Sequence, residues 1–400
     1  MKRIFILFGY LFFTIVVFPQ QTVNYLLKAK ALTDGGKVRD AIVLLSDAIV
    51  RMPDTRLYLQ RADVYMVDGD YSSAISDYQS ADRISPGAGE YGLARIYAIK
   101  GDVKTSLYWL DLNLSSSFKK SEKEIMLDPA FSVIENTPDW RQFWKKERYN
   151  IFERKIPEIE YYISTGNREE ANSALSELIN SYPDDNSTLY AKALVDFSLQ
   201  RYSEAITILT NLTSSGKKNE TWLKLLAEVQ ASAGNPTGAS LVYSQLIDLG
   251  IADAKLFLKR ADCYRKTGEY DKALKDMSRF LELYPENNEA LRLNGKIEAE
   301  SGDNLKALDS FSKNLKLHPN DPECYIDRAN SYFNSRTWDS AISDFSMALD
   351  LMPSDPEVWL NKGIALLNIG KTEDACHDFR NALSLGNKKA TLYISRNCIK

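Results

Sequence analysis

The amino-acid sequence predicts an all-α solenoid of about ten helix pairs in two blocks, and three observations carry that expectation. Ala171, Ala205, Ala239, Ala273, Ala307, Ala341 and Ala375 each lie 34 residues after the one before. Four residues beyond each sits a larger apolar side chain: Leu175, Leu209, Tyr243, Met277, Phe311, Phe345 and Phe379. Twelve before most of them is a second small residue (Ala193, Ala227, Ala261, Gly295, Ala329, Gly363), and twelve after several is Pro183, Pro285, Pro319 or Pro353. Markers kept in phase through seven periods are the signature of a repeat array. A chain of 400 residues also exceeds what one compact core organises.

Residues 1–20 come first. Met1-Lys2-Arg3 is positively charged, and the apolar run from Ile4 to Phe18 is shorter than the ~20 residues a membrane-spanning helix needs. The segment reads as a secretory signal cut near Gln20–Gln21, although Phe18-Pro19-Gln20 lacks the small residues a peptidase prefers. An uncleaved anchor is the alternative, and membrane association is expected through this segment alone. No cysteine follows it to carry a lipid.

Residues 21–115 hold three units. Ala41 and Ala74 are 33 apart, with Pro53 and Pro86 twelve beyond each, and Ser106 stands for the third alanine. Residues 116–150 leave the phase. Asp128-Pro129 and Thr137-Pro138-Asp139 read there as helix starts, and Phe131, Ile134, Trp140, Phe143 and Trp144 supply an apolar surface. A cap on the first block and hinge to the second is the expected role, with an aromatic partner-binding patch as the alternative. Residues 151–386 hold seven units, and 387–400 carry a final short helix, Ala390 to Ile399, over the last one.

Within a unit, apolar residues recur at three and four, as in Leu256, Cys263 and Tyr264 and then Ala273, Met277 and Phe280. Glycine or a polar substitute marks the turn between the two helices, where a left-handed residue ends the first. Proline closes the second because it donates no helical hydrogen bond. Small residues belong where helix axes cross closely. Helices of this length, ~20 Å at 1.5 Å per residue, are marginal alone and gain stability by stacking on neighbours.

Little in the chain points to chemistry. Fifty basic and 54 acidic residues give a net charge of −4, with no basic field for nucleic acid. Two histidines, His318 and His377, fit no metal spacing, and no phosphate loop, nucleophile elbow or dinucleotide fingerprint occurs. No enzyme activity, cofactor or metal is therefore expected. Acidic pairs such as Glu169-Glu170 and Asp184-Asp185 lie at helix starts, where capping explains them. Four cysteines are too few for a disulfide framework. Cys376 and Cys398 would pair if the last helices pack together in an oxidising compartment; the preferred expectation is that all four are buried small apolar groups.

Trp359, Gly363, Ala375, Phe379 and Ala382, preceded by Tyr325, Ala329, Tyr332, Trp338, Ala341, Phe345, Ala348 and Pro353, resemble consecutive tetratricopeptide repeats. The resemblance covers nearly all of the chain after residue 20. It implies antiparallel helix pairs wound into a right-handed superhelix whose first helices line a concave groove for protein or peptide partners. Groove positions then fall three residues before the first small residue of each unit, and one and four after it. Among them are Tyr190, Leu194 and Phe197; Leu258, Asp262 and Arg265; Arg292, Lys296 and Ala299; Ile326, Asn330 and Phe333; and Leu360, Ile364 and Leu367. Arg265, Lys266, Arg292 and Lys296 are expected to form a basic patch, with Phe333, Leu360, Ile364 and Leu367 an apolar one beside it; packing against neighbouring helices or the end cap is the alternative. The expected function is a non-catalytic protein-interaction scaffold in the periplasm or at the envelope of a bacterium. An assembly accessory holding unfolded clients, or a subunit that positions a separate enzyme, would use the same groove.

Overall fold

The computed structural model describes residues 20–214 and 219–398, so the expected signal segment lies outside it apart from Gln20. All regular structure in the described residues is helical. Three pairs come first: α1 (20–34) with α2 (Val38–Arg51), α3 (Thr55–Asp68) with α4 (Tyr71–Ile84), and α5 (Glu90–Ile99) with α6 (Val103–Ser115). The segment out of phase forms α7 (Glu122–Met126), a 3-10 turn (Pro129–Phe131) and α8 (Pro138–Phe143). Next come α9 (Ile151–Ser164) with α10 (Arg168–Ser181), α11 (Asn186–Ser198) with α12 (Tyr202–Ser214), and α13 (Glu220–Ser232) with α14 (Pro236–Asp248). The last four pairs are α15 (Lys255–Lys266) with α16 (Tyr270–Leu283), α17 (Asn288–Glu300) with α18 (Asn304–Leu317), α19 (Pro322–Asn334) with α20 (Trp338–Leu351), and α21 (Pro356–Asn368) with α22 (Thr372–Ser384). A short α23 (Ala390–Asn397) ends the chain.

Local rules set these boundaries. Second helices end at Arg51, Ile84, Ser181, Leu283, Leu317 and Leu351, each two residues before a proline, because the residue preceding proline is pushed out of helical geometry. Glycines 166, 234, 268, 302 and 370 end first helices with φ between +73° and +92°. In the same register, Gln200 and Arg336 hold φ of +60° and +59°, a conformation that side chains with a Cβ adopt at a cost. Aspartates cap many first helices, as Asp185 does by accepting from the Ser187 amide, while Glu169 and Glu170 sit in the first turn of α10. Asp128 and Thr137 cap the 3-10 turn and α8, each ahead of its proline.

The small residues earn their positions through packing. A Cβ on Gly295 would stand 2.5 Å from the Phe311 ring, and one on Gly363 2.7 Å from that of Phe379. The phenylalanines four residues beyond the phase alanine thus fill the space that the glycines leave. Phe311, Phe345 and Phe379 are all fully buried.

The chain parts into two compact units, the first ending at Ala254 and the second beginning at Lys255. That division falls inside the expected second block. The out-of-phase segment therefore lies within the first unit.

In the first unit, residues 116–150 cap the third pair. Ile125, Phe131, Ile134 and Trp140 form one buried cluster with Ala94, Ala98, Leu110 and Leu114, and Phe143 and Trp144 pack against it half-buried. Trp140 is 5% exposed, its ring 5.4 Å from Phe131 and 5.6 Å from Trp144. These aromatic residues pack into the core beside the third pair.

In the second unit, α23 lies against α22, and Cys376 is bonded to Cys398. The preferred expectation for these two cysteines is thereby corrected, because the last helices do pack together. Cys263 and Cys324 are free and buried, as expected.

Candidate functional site

The first helix of each pair presents its −3, +1 and +4 residues, counted from the small residue, on one face. Within the first unit this face opens into a cleft of about 440 Å3. Leu26, Lys30 and Thr33 of α1 and Leu59 and Asp63 of α3 line it, all of them at those three positions, and Ala252 borders it. Asp63 accepts the Tyr78 hydroxyl at 2.5 Å and lies 3.6 Å from Arg95. Farther along, Asp128 from the capping segment binds Arg95 at 2.8 Å and accepts the Tyr91 hydroxyl at 2.8 Å. The cap thus closes the third pair's part of this face.

Tyr190 and Phe197 belong to the same face on α11. Tyr190 is 8% exposed, and burial together with Glu160 and Glu228 pushes its phenol up. Phe197 is half-buried, its ring 6.1 Å from Tyr202.

In the second unit the register again finds a cleft, of about 250 Å3. Leu258, Asp262 and Arg265 of α15 and Arg292 and Lys296 of α17 line it, with Lys259, Glu289 and Leu293 beside them. The expected basic patch is corrected here. Arg265 pairs with Asp262 at 3.0 Å and Glu300 at 2.6 Å, and Lys266 with Asp262 at 2.7 Å. Arg292 pairs with Glu323 and lies 3.8 Å from Asp327, as does Lys296. The four expected cations are thus all paired with carboxylates, although the cleft's own lining keeps four cations, Lys259, Arg265, Arg292 and Lys296, to two carboxylates, Asp262 and Glu289. Asp327 is raised by burial despite Lys296 and Arg292.

Of the expected apolar patch, Leu360 and Ile364 line a further cleft, of about 430 Å3, with Glu357, Asn361, Leu392 and Tyr393. Leu360, Ile364 and Leu367 join Phe379, Ala382 and Ala390 in the core at the chain's end, with Tyr393 and Ile394 of α23. Phe333 is half-buried, packed edge-on to Trp338 at 5.2 Å and Phe345 at 6.3 Å. Asn330, also half-buried, makes no side-chain hydrogen bond among the described residues. The structure brings Arg265, Lys266, Arg292 and Lys296 into one network, while Leu360, Ile364 and Leu367 pack on the core of the last pair, the first two also lining the cleft there.

Sequence reasoning missed a second device. Arg61–Asp77, Arg260–Asp276 and Arg328–Asp344, each at 2.7 Å, join the two helices of a pair, and Lys362–Asp378 repeats the contact at 3.3 Å. The acid follows the base by sixteen residues each time, with the base just before the small residue of the first helix. That spacing was the available signal. Leu226 and Val242 hold the same two positions in the sixth pair, both buried.

The remaining reactive groups are quiet. Burial pushes the thiols of Cys263 and Cys324 up to about 11 and about 12, so neither is a thiolate near neutrality. His318 meets the Glu286 carbonyl at 2.8 Å in a turn, and His377 is exposed. Among the described residues no group of three or more His, Cys, Asp or Glu could hold a metal ion, and no helix is long and apolar enough to cross a membrane.

Residues 26–89, 258–322 and 326–388 match one tetratricopeptide-repeat profile, and residues 160–185 match another, together more than half of the chain. The chain belongs to the tetratricopeptide-repeat family. Among solved structures it is similar to a tetratricopeptide-repeat protein from Parabacteroides merdae, with 20% identity over 61% of this chain and 96% of that one and a TM-score of 0.50. It is also similar to the C-terminal part of a repeat protein from Cytophaga hutchinsonii (16% identity, 59% and 98% covered, TM-score 0.46). A third likeness is to the APC/C hetero-tetramer Cut9–Hcn1 (15% identity, 93% and 83% covered, TM-score 0.48). These likenesses concern the fold. No curated protein matches the chain in sequence. As a tetratricopeptide-repeat protein, the chain falls in a class of helical scaffolds that engage other proteins.

Proposed function

We propose that this tetratricopeptide-repeat protein is a non-catalytic scaffold that holds an extended segment of a partner protein along the faces of its first helices. One observation carries the reading. Five of the eleven residues lining the first unit's cleft of 440 Å3, and five of the eight lining the second unit's cleft of 250 Å3, stand at the −3, +1 and +4 positions that repeat register alone assigns to a binding face. Within the second unit the network of Arg265, Arg292, Lys296, Asp262 and Asp327 offers charged hydrogen bonds to a polar backbone or side chains, with Leu258 as an apolar floor.

We further propose that the protein works outside the cytosol, at a bacterial envelope. The charged and apolar start of the chain supports export, and the Cys376–Cys398 bond suits an oxidising compartment.

The test compares Arg292→Ala/Lys296→Ala with Lys313→Ala/Lys316→Ala, which alters exposed residues of the second helix α18. Folding would be checked by helical circular dichroism, and partners by crosslinked capture from the protein's own cells. Loss of the same partner from the first variant alone is the expected result. Equal capture by both variants would remove this cleft from the binding site.

A further inference from the structure

The last helix continues the repeat without completing it. Tyr393 lies 34 residues after Trp359, and Ile394 lies 34 after Leu360. So α23 stands in the register of a first helix of an eleventh unit. It fills the slot that a further repeat would fill: its Tyr393 stacks on Phe379 at 5.0 Å, and Tyr393 and Ile394 close the cluster of Leu360, Phe379 and Ala382.

Its own packing is slight. The helix has eight residues, no side-chain cap at Lys389, and a single buried residue, Ala390, while Leu392 stays 51% exposed. Two turns of helix do not hold together alone. Near its start, Asn387 donates to Glu357 at 2.8 Å and Lys389 pairs with Glu357 at 3.3 Å, both exposed contacts that contribute little. Its far end is fixed covalently, because Cys398 is bonded to Cys376, a buried residue of α22. The bond closes a loop of 22 residues around the very helix that packing holds least.

We propose that Cys376–Cys398 is a redox-sensitive latch. Oxidised, it keeps α23 in the end slot; reduced, it releases the helix and uncovers Leu360, Phe379 and Ala382. A dithiol reductant supplies the two electrons and two protons. One of its thiolates attacks a cysteine sulfur, the S–S bond breaks, and the mixed disulfide resolves into two cysteine thiols and the cyclic disulfide of the reductant. Cys263 and Cys324 take no part, since both are buried in other pairs. The latch stands whether or not the clefts bind a partner.

Thiol titration in denaturant, with and without dithiothreitol, followed by amide hydrogen exchange on the folded full chain, tests this. Two thiols before reduction and four after are expected from the pairing. Reduction should then speed exchange in α23 by about tenfold or more while α15 to α20 stay protected, and Cys398→Ser should reproduce that pattern without reductant. Four thiols in the untreated protein would overturn the proposal. So would unchanged protection of α23 after reduction, which would mean that packing alone holds it.

Discussion

Arg336 ends its helix with φ of +59° where most units of this solenoid use glycine. A left-handed backbone costs a residue with a Cβ about 1–2 kcal/mol, and glycine's extra freedom when unfolded returns part of that. Arg336→Gly is therefore expected to stabilise the second unit by roughly 0.5–1 kcal/mol, read as a higher midpoint in urea. The buried pairs obey a different rule. Arg328 and Asp344 are 19% and 7% exposed in their side chains, so removing one partner strands a charge. Arg328→Met should cost about 3 kcal/mol, whereas Arg328→Met/Asp344→Leu should return to within about 1 kcal/mol of the parent. The sixth pair, with Leu226 and Val242 at these positions, already packs that way. Asp196 supplies a pH test. Its side chain is 8% exposed with Arg201 at 3.6 Å, one carboxylate oxygen has no hydrogen bond among the described residues, and burial holds its carboxyl above the ordinary value against Lys192 and Arg201. A raised carboxyl favours the neutral form in the fold. Its contribution is thus full below the unfolded value of about 4 and is lost as pH rises through the folded one. Asp196→Asn should raise the unfolding midpoint at neutral pH and leave it unchanged near pH ~3.

At the scale of elements, each interruption of the repeat covers a stacking face. Residues 116–150 cover the third pair with a closed aromatic core, whereas α23 covers the tenth with half-buried side chains and a covalent bond. The two caps should fail differently. Trp140→Ala empties a site among Phe131, Ile134 and Leu110, and should cost about 3–5 kcal/mol. Hydrogen exchange should show the loss in α5 and α6 as well as in α8, because the cluster joins them. An effect confined to α8 would mean that the segment does not cap the third pair. Its Asp128 also ties down Arg95 and Tyr91, which register alone assigns to the binding face. Capping therefore shortens the open face of the first unit.

Across the whole molecule, the ten pairs and their ends were legible because each rests on local chemistry: a small residue at a close crossing, a left-handed turn, a proline. The division at Ala254 left no distinct mark, since Lys217 as well as Ile251 stands where the period would place a closing proline. The charge of the binding face was harder to read. Arg292 meets Glu323, 31 residues away, and Arg265 meets Glu300, 35 away, so each cation is neutralised from the next unit. Nothing in the residue types of Leu360, Ile364 and Leu367 separates a groove wall from an end core, and with α23 in place Leu360 and Ile364 serve as both. The disulfide likewise depends on how the last helices pack. What remains to be tested is whether the first-helix face is where a partner sits. The most direct measurement places a photo-crosslinking amino acid at Lys296 or Asn330 on that face, and at Lys313 on the second helix α18, in the otherwise unchanged protein. Crosslinks to the same partner from Lys296 and Asn330, with none from Lys313, are the predicted result. Crosslinks from Lys313 with none from the other two would contradict the account.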